Sequence, residues 1–306
     1  MSGNAATAVA TPRVRTLVWP RHASRAFLYL LVGLGATVSM FPLFWTLMTA
    51  GKDIPEMFSY PPSLLPREPH YFDILTQLFT VYPFARWLLN SFWITGLTVV
   101  GAVLSASLVA YSFARFRYPG RDFFFFITLA TMMLPGFVTL IPSYQIFFWL
   151  GWVNTFNPLV VPAFFGGGAF NIFLMRQFLL TIPTELDEAA EIDGASSWVI
   201  FWRIIMPLAK PALATMAILT FVTQWNNFIG PLIYLTSDQN YTAVLGLFVF
   251  VNQSVMANAF DAHRTGVALD NVMMMASFLT AVPGMILFFA FQKHFVQGIV
   301  MTGLKG

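Results

Sequence analysis

Glu188-Ala189-Ala190-Glu191-Ile192-Asp193-Gly194-Ala195, followed by Pro207 and Lys210-Pro211, is an acidic, small-residue stretch in a chain otherwise apolar enough for lipid. Hydrophobic residues make up 58% of the chain and charged residues 9%, where a soluble domain carries about 25% charged. A chain this apolar cannot cover itself with polar surface, so the bilayer is its solvent. A membrane protein has little reason to expose a compact helix of Ala and acid unless something docks on it. The net charge of +3 comes without any long basic run, which argues against nucleic acid. With no Cys, disulfides, thiolate catalysis and Cys-based metal sites are excluded. The four His (His22, His70, His263, His294) are scattered and none pairs at metal-ligand spacing, so no metal site is expected.

Working outward, six windows reach the about 20 apolar residues a span requires: 26–50, 87–114, 123–148, 157–175, 211–235 and 271–292. None contains Asp, Glu, Lys, Arg or His, the expected outcome where burying a charge is costly. The fold class is an all-α polytopic membrane protein with six transmembrane helices. Residues 1–25 form an N-terminal tail with Arg13, Arg15, Arg21 and Arg25, and 26–306 form the transmembrane domain. The first apolar run is too long for a signal peptide and reads as a retained helix. In the fourth window Gly166-Gly167-Gly168 favours a break or close packing over a straight helix. With the N-terminus inside, 12 Lys and Arg are cytosolic and 4 are outside, which places both termini in the cytosol. The outer segments 51–86 and 236–270 are long enough to fold. The connection 149–156 is short, so spans three and four are expected to form a tight antiparallel hairpin. Residues 177–210 are the only large cytosolic loop.

That loop has helix signals of its own. Thr184 can cap a first helix, and Glu185, Asp187 and Glu188 fall where negative charge complements the helix dipole. Gly194 can adopt the left-handed conformation that ends it. Ser196 or Ser197 then caps a second, apolar helix through Trp198, Ile200, Phe201, Ile204 and Ile205, stopped by Pro207. An ordinary solvated acidic loop is the alternative. The glycine turn, the apolar second arm and the bracketing Pro207 and Pro211 favour a docked one.

Glu188-Ala189-Ala190, Gly194 and Ile205-Met206-Pro207-Leu208 resemble the coupling-loop signature of binding-protein-dependent ABC importer permeases. Leu134-Pro135, Thr139-Leu140-Ile141-Pro142, Arg176-Gln177-Phe178, Ile182-Pro183, Gln224-Trp225-Asn226-Asn227-Phe228 and Phe295-Val296-Gln297-Gly298 extend the likeness. They are similar to the carbohydrate subfamily, of the maltose-permease second-subunit type, from about the first span to the C-terminus. The resemblance implies the type I ABC importer permease fold in a bacterial inner membrane. It further implies a second permease subunit, two ATPase subunits and an extracytoplasmic substrate-binding protein. Glu185, Glu188, Ala189, Ala190, Asp193, Gly194 and Pro207 would then couple this chain to an ATPase, and the outer loop 236–270 would dock the binding protein. One departure stands out: that family often carries an acid after the Trp-Asn of span five, where this chain has Asn227.

No Gly-x-x-x-x-Gly-Lys-Ser/Thr phosphate loop occurs. No cofactor is therefore expected in this chain, ATP and Mg belonging to the partner ATPases, and the chain is not an enzyme. In the fifth window Gln224, Trp225, Asn226 and Asn227 have two readings. The amides can hydrogen-bond neighbouring helices, or they can line a sugar path with Trp225 offering a ring face. The run Met273-Met274-Met275 reads as adaptable packing. An ion-coupled transporter would carry ionisable groups at depth, and an intramembrane enzyme would need a nucleophile or acid/base pair there. The windows contain no Asp, Glu, Lys, Arg or His to serve as coupling group or catalytic acid or base. Mono- or oligosaccharides, polyols and glycerol-phosphate compounds all remain open as the solute.

Overall fold

The computed structural model describes residues 21–260 and 269–303, with side chains over 25–252 (Ile54 excepted) and 270–291. The described residues are helical throughout their ordered elements and contain no strand. Contacts divide the chain into residues 1–45 and 46–306. In the first unit, α1 (Arg21–Ala50) begins, with Pro42 inside it and Phe41 stacked on Trp45.

In the second unit the helices are α2 (Ile54–Met57), α3 (Tyr71–Val81), α4 (Phe84–Arg115), α5 (Arg121–Thr131), α6 (Gly136–Trp149) and α7 (Asn157–Val160). A tight turn over Val161–Phe164 leads to α8 (Ala169–Leu179), α9 (Glu185–Ile192) and α10 (Ser197–Ile200). A π-helical turn, Phe201–Ile205, passes into α11 (Met206–Leu208), α12 (Lys210–Trp225), α13 (Ile229–Tyr234), α14 (Ala243–Phe260) and α15 (Leu269–Gly303). Four helical segments are long and apolar enough to cross a bilayer, or up to six if each of two bent pairs is one span.

The windows 26–50, 87–114 and 271–292 fall within the single helices α1, α4 and α15, and the three others are reshaped. The third is two helices, α5 and α6, meeting at 99°. Pro135 caps α6 in an extended conformation and cannot continue the preceding helix. The fourth breaks at Gly166–Gly168, all three at positive φ, and then runs on to Leu179. The fifth breaks after Trp225, and α13 resumes at Ile229. The expected tight hairpin of spans three and four does not form along its length. No residue of α6 is buried, and α6 is tied in near its C-terminal end by Tyr144 and Phe147 against Tyr234. The outer loop 236–270 is largely the helix α14. Asp261, His263 and Arg264 lie outside the described residues.

α4 is the central element, packing along α8 and α12. Its inward face carries Gly101, Ala102, Ser105, Ala106 and Ala110, and small residues let helix backbones approach closely in membranes. The break in the fourth span uses that face. The Phe164 ring covers Gly101, and a side chain at Gly167 would meet the Ala102 backbone. Ser105 Oγ lies 2.7 Å from both Gly101 O and Ala163 O, and Thr98 Oγ1 donates to Leu159 O at 3.1 Å. The contacts to Leu159 O and Ala163 O serve carbonyls beside the break, as backbone at membrane depth requires. A second cluster joins Ile74, Leu78, Phe84, Trp87, Phe250, Val272 and Met275, with Met273 and Met274 packed against it.

Candidate coupling helix and solute path

Residues 185–192 form α9 because acids fill its first turn and alanines its middle. Thr184 does not cap it with its side chain. It is itself helical, and its carbonyl accepts the N–H groups of Asp187 and Glu188. The C-terminus is a Schellman cap: Gly194 at φ +81° donates to Glu191 O, and Ala195 N–H returns to Ala190 O at 2.9 Å. Ser196 then accepts from Val199 N, capping α10. Pro207 does not stop the second arm. It sits in the opening turn of α11, where its missing N–H is harmless, and the arm continues to Leu208 before bending 77° into α12.

The two sides of α9 differ. Ala190 is 8% exposed and belongs to an inner cluster with Ala110, Tyr111, Ile182, Ile200 and Phe201. Glu185, Glu188, Ala189, Asp193 and Gly194 are exposed, as is Pro207. Two apolar side chains share the open surface, Leu186 at 43% and Ile192 at 86% exposed, with Trp198 nearby on α10. Ala189 is thus the alanine open to a partner, and Ala190 is the alanine that seats α9 on its own chain. The sequence pattern named both as coupling residues without separating these two positions.

Asp187 also faces inward. Its Oδ2 lies 2.7 Å from Arg115 Nε, with the side chains 13% and 6% exposed. The N–H does not point along that line, so this is a charge contact rather than an aligned hydrogen bond. Arg115 Nη2 donates to Ile182 O at 3.0 Å. Burial raises the Asp187 carboxyl above its usual range; Arg115 opposes that shift, and Glu191 and Glu188 add to it. The sequence held one available signal for this pair. Asp187 lies three residues before Ala190 and so shares its face, and Arg115 closes a span.

At the break after α12, Trp225 is buried. Its Nε1 donates to Thr280 O at 3.0 Å, and its ring lies parallel to Phe221 and against Phe92. At 4% exposed, it offers no sugar-stacking surface in this conformation. Asn226 is exposed, with Nδ2 donating to Val222 O, while Gln224 and Asn227 are half-buried and face each other at 3.5 Å. The structure thus brings the amides of Gln224 and Asn227 together, turns Asn226 back onto its own helix, and sets Trp225 apart as a lock between α12 and α15.

Outside this break, the segment 236–241 is fixed from two directions. Asn154 Oδ1 accepts from Thr236 N, Ser237 N and Ser237 Oγ. From α4, Arg86 and Asn90 donate to Gln239 O and Trp87 Nε1 to Asp238 O.

Residues 102–301 match the family described as binding-protein-dependent transport system inner membrane component. The chain belongs to that family. The permease is 36% identical over 220 residues to the arabinooligosaccharides transport system permease protein AraQ of Halalkalibacterium halodurans, covering 72% of this chain and 74% of that one. It is 32% identical to the galactooligosaccharides transport system permease protein GanQ of Bacillus subtilis, covering 94% and 97%. It is also 32% identical to the sn-glycerol-3-phosphate transport system permease protein UgpE of Yersinia pestis, covering 92% and 97%. In fold, it matches a chain of a bacterial ABC transporter involved in the import of alginate, with TM-score 0.78 at 23% identity over 92% of this chain. It is a transport subunit of ABC importers and not an enzyme.

Proposed function

We propose that this permease is half of the pore of an ATP-driven importer of neutral oligosaccharides. It works with a second permease chain, two ATPase subunits that bind ATP and Mg, and an extracytoplasmic binding protein. The observation that carries this reading is the two-sided helix α9. One side is anchored in the permease core by Ala190 and Asp187, and the other presents Leu186, Ala189 and Ile192 among acids. Apolar side chains so exposed beyond the spans mark a docking surface. Closure of the ATPase dimer on ATP would carry α9 with it and shift the pore between inward- and outward-facing populations.

The Lys and Arg bias supports an orientation with α9 and both termini in the cytosol. The doubly braced segment 236–241 then lies outside, as a rigid platform for the binding protein. A neutral solute is favoured because the break after Trp225 offers amides and the apolar windows hold no cation to pair a phosphate. The similarity to UgpE keeps a glycerol-phosphate compound as the second reading. The test is site-specific crosslinking from Ile192→Cys in the assembled transporter, together with uptake into proteoliposomes. Crosslinks to an ATPase subunit and ATP-dependent uptake of oligosaccharide support the proposal. Crosslinks only to lipid or to this chain's termini would sink it.

A further inference from the structure

Arg115 is the last residue of α4, and it reaches both sides of the turn that leads into α9. Nη2 holds Ile182 O, before Pro183, and Nε stands against Asp187 Oδ2, after it. The other carboxylate oxygen, Asp187 Oδ1, is buried with no hydrogen-bond partner among the described residues. Arg115 is therefore the group that holds this carboxylate in place. A desolvated ion pair gains little in stability over apolar residues of the same volume, whereas it does fix direction and register. Ala190 joins Ala110 and Tyr111 of α4 in an apolar cluster, and apolar packing fixes neither. At its far end, 32 residues and about 48 Å away, α4 holds the segment 238–241 through Arg86, Trp87 and Asn90.

We infer that the Arg115–Asp187 pair is a strut: it makes α9 and α4 one rigid body, so that a displacement of α9 by an ATPase is delivered along α4 to the outer rim. The two are positioning residues and touch neither nucleotide nor solute. This inference rests on the proposed docking of α9 to an ATPase.

The experiment uses the complete transporter with its ATPases and binding protein in proteoliposomes, and reads solute imported per ATP hydrolysed. Asp187→Asn and Arg115→Gln should still co-purify with the ATPases and hydrolyse ATP. Imported solute per ATP should fall about tenfold, within the range by which coupled sites influence each other. The reversed pair, Arg115→Asp with Asp187→Arg, should recover most of the ratio. Because the chain has no Cys, spin labels at Arg117→Cys and Thr184→Cys report the α4–α9 distance directly. That distance should stay constant between nucleotide-free and ATP-bound states and vary only in the single variants. Single variants with an unchanged ratio overturn the strut, as does a reversed pair that restores assembly without restoring the ratio. The Ile192→Cys crosslink, measured in the same preparations, separates the two ideas. Its absence removes the coupling-helix reading itself, and its presence beside an unchanged ratio removes only the strut.

Discussion

Asn227 Oδ1 accepts the backbone N–H of Gly230 at 3.2 Å, so this amide bridges the break in the fifth span and closes the first turn of α13. The acid that the resembled family often carries here can make the same bond. An aspartate would also add charge at a helix N-terminus, where it is favourable. Asn227→Asp should therefore leave uptake and thermal stability close to those of the parent. Asn227→Ala should cost about 1 kcal/mol, as lost helix caps do, and lower the unfolding temperature of the purified complex. Equal unfolding temperatures for the two variants would show that the bond has no bearing on stability.

Ala189 and Ala190 are adjacent in sequence and opposite in role, so the same substitution should fail in different ways. Ala189→Trp adds bulk on the open side and should block co-purification of the ATPase while the permease remains folded. Ala190→Trp forces a ring into a packed cluster, where overpacking costs about 1–3 kcal/mol, and should lower expression and stability of the permease itself. Co-purification and thermal unfolding, measured side by side, check the contrast.

Gly194 has open space around it but a φ of +81°. Its requirement is conformational, about 1–2 kcal/mol for an ordinary side chain in the left-handed region. Gly194→Val should loosen the turn between α9 and α10 and uncouple uptake from ATP hydrolysis. Gly194→Asn, which tolerates that region, should retain most coupling. ATPase stimulation by the binding protein, measured together with uptake, checks both.

The Asp187 carboxyl is raised above the ordinary value of 3.8 by burial, with Arg115, Glu191, Glu188 and Tyr111 as its charged or titratable neighbours. Its neutral form is favoured by folding. The stability it contributes is present below pH 3.8 and is lost as pH rises through the higher folded value. Acidification therefore removes its charge earlier than that of an ordinary aspartate, and with it the pull on Arg115. Uptake per ATP should fall as pH drops through the raised value of this carboxyl, without loss of assembly, and Asp187→Asn should abolish that step. A pH profile of uptake and ATPase activity, with and without the substitution, decides it.

Composition alone made the lipid-spanning class legible, and Gly194 and Gly166–Gly168 announced a helix end and a break because glycine is the residue that pays least for positive φ. The Pro135 elbow was less visible, since its window is continuously apolar and periodicity carries no sign of direction. The inward side of α9, with Ala190 and Asp187, was not legible for a related reason. In a short helix of acids and alanines no hydrophobic stripe marks the inner face, and the decisive partner, Arg115, comes from a span about 70 residues earlier. Trp225 looked like a sugar platform because its type fits one, but Phe92, Phe221 and Thr280 had claimed it, and only tertiary structure shows that.

Gly167 lies with its backbone against that of Ala102 and no side chain between them. Two chains in such contact have no cushion of rotamers through which to slip, so the broken fourth span and α4 behave as a stiff spine. Whatever flexing a passing solute demands is left to the elbows: the bend before Gly136 and the gap between Trp225 and Ile229. A centre built this way is carried as one piece, and its shape changes only at those joints.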